Sequence, residues 1–158
     1  MKPITILFFL LNFALNKLYS QEVFAYQQQR HKFNKYLITN NLINKVSKKR
    51  FEKGYEYEGK YLGQFTTKNG TEFYIINSSY VNLQNLHSDN EIFIYNVKKE
   101  FVGYYNVATD YQLPIKLVKN ILFFKSDNCA NKIELKKGLP KLICIGCNNE
   151  IDCIEFQN

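Results

Sequence analysis

The stretch KYLGQFTTKNGTEFYIIN, residues 60–77, decides the fold class. Two runs rich in aromatic and β-branched residues flank Asn69-Gly70, a pair that tolerates the positive φ angles of a tight hairpin turn. The reading is strand, turn, returning strand. Outward from it the scheme recurs: NEIFIYN (90–96), the connector VKKE, and FVGYYNV (101–107) form a second hairpin pattern. Further strands are predicted at IKLVKNILFFK (115–125), KIELKK (132–137) and KLICIG (141–146), with Pro114, Gly138 and Pro140 marking the breaks. The expectation is a mainly β fold, an antiparallel sandwich or barrel-like meander of about eight strands, because the links are short and the strands closely spaced. Residues 60–65 (KYLGQF) and 100–105 (EFVGYY) also share an aromatic, aliphatic, glycine, variable, aromatic pattern. Each interior glycine suits a β-bulge or the close approach of a neighbouring ring. Two copies are too few for a propeller or solenoid.

The N-terminus sets the compartment. Met1, Lys2 and Pro3 precede ITILFFLLNFAL (4–15) and the polar NKLYS (16–20), the layout of a cleaved secretory signal. The apolar run is shorter than the roughly 20 residues a membrane span requires, so no transmembrane helix is expected in a mature chain starting at Gln21. The expected organisation is a signal peptide over 1–20, a basic helical segment over 21–53 and a β domain over 54–158, in a secreted or periplasmic protein.

Residues 21–53 hold eight basic and two acidic side chains, a balance of +6, against a net charge of +7 for the whole chain. Val23, Tyr26, Arg30, Phe33 and Leu37 follow helical spacing, and Leu42, Ile43, Val46 and Phe51 suggest a second short helix ending at Gly54. One or two N-terminal helices are therefore expected. Lys45, Lys48, Lys49, Arg50 and Lys53 are the candidate contacts to an anionic surface, lipid or acidic polysaccharide. A solvated helix face accounts for the same charges and is the preferred reading. Export disfavours nucleic acid as a partner.

Export also governs the four cysteines. Cys129, Cys144, Cys147 and Cys153 form an even set in an oxidising compartment, which points to disulfides. Zinc fits less well, since only CIGC has knuckle spacing, and no metal ligand set is assigned. If Asn148-Asn149 forms a two-residue hairpin turn, Cys147 faces Glu150 and Cys144 falls opposite Cys153 at a non-hydrogen-bonded pair, with a Cα separation of about 4.5 Å that a disulfide accepts. Cys147 then lies on the other face and is left for Cys129.

Catalytic motifs are sparse. His31 lies in the basic segment, and the neighbours His87, Ser88 and Asp89 in one loop do not normally converge as a triad. Glu56 and Glu58 share a strand face and read as a solvated edge. No catalytic residue is assigned, and no fingerprint of a cofactor site occurs. Nine of the twelve tyrosines fall between Tyr55 and Tyr111. Packing within strands explains that enrichment and is preferred; an exposed platform formed by Tyr61, Tyr74, Tyr95, Tyr104 and Tyr105 is the functional alternative, for a protein or polysaccharide partner.

The run GKYLGQFTTKNGTEFYIINSSYV, with the later NEIFIYNVKKEFVGYYNVATDYQLPIKL and NILFFKSDNC, resembles small uncharacterised secreted bacterial proteins that combine a signal peptide with a K-x-x-G-x-[FY]-T-T-x-N-G hairpin. The resemblance spans residues 59–129 and implies an exported protein without an assigned activity. In a eukaryotic host, Asn69 and Asn77 would be glycosylation acceptors. The functional expectation is a non-enzymatic binding or structural module, with an inhibitor or immunity protein and a hydrolase built from separated acidic residues as rivals.

Overall fold

The computed structural model describes residues 26–51, 54–126, 129–147 and 150–158, and their side chains except those of 125–130 and 147–150. The predicted signal peptide, Lys53 and the Asn148-Asn149 turn lie outside the described residues. Two compact units are present, Met1–Phe33 and Asn34–Asn158. Residues 26–39 are helical (α1). The described part of the first unit is the run 26–33, in which the Arg30 guanidinium lies 5.5 Å from the Tyr26 ring centroid.

The second unit is antiparallel β. Its strands are β1 (Val46–Phe51), β2 (Tyr55–Thr66), β3 (Glu72–Asn82), β4 (Ser88–Asn96), β5 (Phe101–Val107), β6 (Lys116–Val118), β7 (Ile121–Ser126), β8 (Cys129–Glu134), β9 (Leu142–Cys147) and β10 (Glu150–Gln157). A short 3-10 turn, η1, covers Asp110–Gln112. Seven strands form one sheet in the order β1-β2-β3-β4-β5-β10-β9, and β6-β7-β8 form a second. The large sheet is thus a five-stranded meander to which the C-terminal hairpin adds beside β5. It does not close into a barrel.

The expected second helix is instead β1. Asn41 and Asn44 adopt positive φ (50° and 58°), which ends the helix and reverses the chain. The following VSKKRF then pairs with β2, setting Lys48 opposite Glu58 and Arg50 opposite Glu56. These opposite-charge cross-strand pairs favour a strand where local spacing alone fitted a helix. Gly54, with φ 77°, serves the β1–β2 connection rather than a helix cap. The segment 115–125 likewise divides into β6 and β7, because Lys119 and Asn120 both take positive φ (50° and 66°) in the connection between them.

The face shared by the two sheets carries the main core: Leu62, Phe65, Ile75, Ile92, Ile94 and Tyr105 of the large sheet cluster with Leu122 and Phe124 of β7, Leu135, and Ile143 and Ile154 of the hairpin. By strand alternation the other face presents Tyr57, Tyr61, Ile76, Phe93 and Tyr95, all buried. Asn34 of α1 reaches this second face. Its side chain accepts from the Tyr57 hydroxyl at 2.7 Å and donates to the Tyr95 hydroxyl at 2.9 Å.

Both glycines of the paired motifs sit at bulges. The β2–β3 register shifts between Tyr61 and Gly63, leaving Leu62 as the extra residue. The β4–β5 register shifts in the same way opposite Gly103, leaving Val102. Since Gly63 pairs with Ile75, Ile75 with Ile94 and Ile94 with Gly103, the two bulges flank one row across four strands. At Gly103 the reason for glycine is close approach: a Cβ there would overlap the Gln157 carbonyl oxygen and the Phe156 ring.

The C-terminal hairpin has the expected register, with Cys147 opposite Glu150 and Cys144 opposite Cys153. Cys144 and Cys153 are disulfide-bonded, with their Cα atoms 4.1 Å apart. The expected Cys129–Cys147 bridge lies outside the described side chains.

Candidate functional site

The second sheet covers only part of the inner face of the large sheet. Beyond it lies a cleft of about 340 Å³, roofed at one side by Leu113, Pro114 and Ile115. The sequence explains why this end is polar. Inward positions along β3 run Phe73, Ile75, Asn77, Ser79, and along β4 run Ile94, Ile92, Asn90, Ser88. Antiparallel pairing sets Ser79 against Asn90 and Asn77 against Ile92, so both strands turn from apolar to polar near the same row. Lys60 and Glu58 extend these rows onto β2 opposite Asn77 and Ser79.

The floor is tied together by hydrogen bonds. The Ser79 hydroxyl donates to Asn90 Oδ1 at 2.8 Å, and Asn90 Nδ2 donates to Ser88 Oγ at 3.3 Å. Asn90 is only 1 % exposed. Asn77, 7 % exposed, donates through Nδ2 to the Pro114 carbonyl at 2.6 Å. That bond fixes the amide orientation, because a carbonyl can only accept. Asn77 Oδ1 consequently turns away from Pro114, and it is buried with no hydrogen-bond partner. A buried acceptor left unpaired costs about 1–3 kcal/mol. Lys60 Nζ donates to the Ile115 carbonyl at 2.8 Å, which together with Asn77 holds the roof over the floor.

The rim is electrostatically balanced. Lys48 Nζ lies 2.9 Å from Glu58 and 3.3 Å from Glu56, and Arg50 Nε lies 3.3 Å from Glu56. Hydrogen bonding to Glu58, then to Glu56, raises the Lys48 ammonium above its ordinary value. Hydrogen bonds from Arg50 and then Lys48 hold the Glu56 carboxyl below the usual range. Both groups face water, so these pairs register strands more than they stabilise the fold.

Among the candidate anionic-surface contacts, Lys48 and Arg50 thus face carboxylates on β2, while Lys45 and Lys49 are exposed on the β1 side. They lie on a strand edge, not on a helix face. The candidate aromatic platform is largely interior: Tyr61, Tyr95 and Tyr105 are buried, and Tyr74 and Tyr104 are half-buried. The Tyr105 hydroxyl donates to the Pro140 carbonyl at 2.6 Å, and burial pushes its ionisation upward. Burial, with Tyr74 nearby, pushes Tyr61 up to about 12. Strand packing won because these side chains point inward on one sheet face or the other. His87 and Asp89 form an exposed contact at 3.8 Å, away from the cleft floor. Among the described residues no group of three or more His, Cys, Asp or Glu is placed to hold a metal ion, and no helix is long and apolar enough to cross a membrane.

Sequence reading missed the cleft. Its signal was present as the change from Phe73 and Ile75 to Asn77 and Ser79 at alternate positions of one strand. No protein-family model, curated protein or solved structure matches the chain.

Proposed function

We propose that this chain is an exported, non-enzymatic binding module whose ligand occupies the polar cleft beside the second sheet. One observation carries the reading: Asn77, Ser79, Ser88 and Asn90 line one cleft, and their amides and hydroxyls are already organised by hydrogen bonds. Preformed, mostly satisfied polar floors with a few open positions suit recognition, because little ordering remains to oppose binding. The Cys144–Cys153 disulfide supports export, since such bonds persist in oxidising compartments. The cleft is favoured over the basic segment as the binding surface because Lys48 and Arg50 are engaged by Glu56 and Glu58.

The test is an isothermal titration of the full chain against a panel of small polar compounds, with Ser79→Ala as the control. Saturable binding that weakens in the variant is the expected result. Binding that the variant leaves unchanged would place the ligand elsewhere. The hydrolase reading keeps one specific support, that Glu58 and Asp110 come from separate elements to line the same cleft. Turnover of a bound compound, abolished by Glu58→Gln, would favour it over a binding module.

A further inference from the structure

We infer that the cleft recognises a neutral, hydroxyl-rich ligand, a sugar or similar polyol, rather than an ammonium, carboxylate or phosphate compound; this rests on the cleft being the binding site. Charge comes first. The carboxylates that line the cleft are Glu58 and Asp110 and its ammonium is Lys60, while Lys48 lies 2.9 Å from Glu58. With Glu56 and Arg50 of the same ion-pair network included, three negative groups are matched by three positive ones, so no net charge selects a charged ligand. Lys60 also gives one of its three N–H donors to the Ile115 carbonyl at 2.8 Å, which fixes its position in the wall.

Hydrogen-bonding capacity comes second. Ser79 donates to Asn90 Oδ1, and Asn90 uses Nδ2 on Ser88 Oγ. Ser88 therefore accepts from Asn90 and retains its own O–H as a donor. The Glu58 and Asp110 carboxylates of the same lining supply the opposite need, as acceptors. Donors and acceptors are interleaved along adjacent rows of one sheet face. A hydroxyl both donates and accepts, so neighbouring hydroxyls satisfy such a surface where an ammonium, which only donates, or a carboxylate, which only accepts, cannot. Size agrees. About 340 Å³ is near the lower end of ligand pockets and suits a ring-sized compound more than a folded partner's loop.

The experiment is a two-dimensional NMR titration of the full chain with four probe sets in parallel: neutral monosaccharides, glucosamine, galacturonate, and short uncharged peptides. Amide shifts at Ser79, Ser88 and Asn90 report the cleft. A saturable shift there with a neutral sugar, at least fivefold tighter than with either charged sugar, is expected. Ser88→Ala, which removes the hydroxyl donor left open to a ligand, should weaken it by on the order of tenfold, one neutral hydrogen bond, with its spectrum otherwise preserved. Should that variant fail to fold, Ser79→Ala, which removes the hydroxyl that orients the Asn90 amide, takes its place. Tighter binding of glucosamine, galacturonate or a peptide at these residues would overturn the polyol inference and leave the cleft as a binding site. Absence of any shift from all four sets would overturn both.

Discussion

Asn34→Ala removes a side chain that joins the Tyr57 and Tyr95 hydroxyls. The two hydrogen bonds, at 2.7 and 2.9 Å, are between buried partners. Each contributes a net 0.5–1.5 kcal/mol by general experience, about 2 kcal/mol together. Truncating a fully buried side chain adds a cavity term of about 1 kcal/mol, giving about 3 kcal/mol in total. That is a large share of the 5–15 kcal/mol typical of a domain. Equilibrium urea unfolding followed by tyrosine fluorescence measures it, with the midpoint falling and the slope unchanged. Burial alone would also predict a loss, so the cycle with Tyr57→Phe decides. The pair should show a coupling of about 1 kcal/mol, because each single change removes the same bond. Coupling indistinguishable from zero would refute the view that this amide, rather than apolar packing, holds Asn34 against the two tyrosines.

Gly103→Ala should cost about 1–3 kcal/mol, the usual range for overpacking, since its Cβ would overlap Gln157 and Phe156; hydrogen exchange should then show loosened pairing of β5 with β10. Cys144→Ser with Cys153→Ser removes a bridge of sequence separation 9, worth about 2–3 kcal/mol by loop entropy, and a thermal melt reads the loss. Alkaline unfolding provides a third check. Tyr61 is raised to about 12 in the fold, whereas the unfolded chain ionises near 10. Its contribution is complete below that lower value and disappears as pH rises through the higher one, so stability should decline between them; a flat profile would contradict its burial. Mature protein from its natural host should begin near Gln21, and an intact Met1 in the secreted product would refute the signal reading.

Local chemistry made much of the fold legible. Asn69-Gly70, the alternating aromatics and the paired glycines report turn, strand and bulge through neighbours only a few residues away, and the Cys144 and Cys153 register follows from counting outward along one hairpin. The failures share a cause. In VSKKRF, 3/4 spacing and alternation coexist, and the partners that choose between them, Glu56 and Glu58, become visible only once β2 is in register. Asn34 reads as one polar residue on a helix until Tyr57 and Tyr95 are brought to it from distant strands. The cleft was hardest to see because Asn and Ser also signal turns, and its meaning lies in which sheet face they occupy and which loop covers them.

The most direct test of the central claim follows the side-chain NH2 resonances of Asn77 and Asn90 during a titration with neutral sugars. If a ligand fills the cleft, the Asn77 amide protons in its wall should shift on binding, and those of Asn90 should move with the same saturation curve. Both pairs of resonances staying fixed while ligand binds elsewhere would contradict the assignment of this cleft as the binding site.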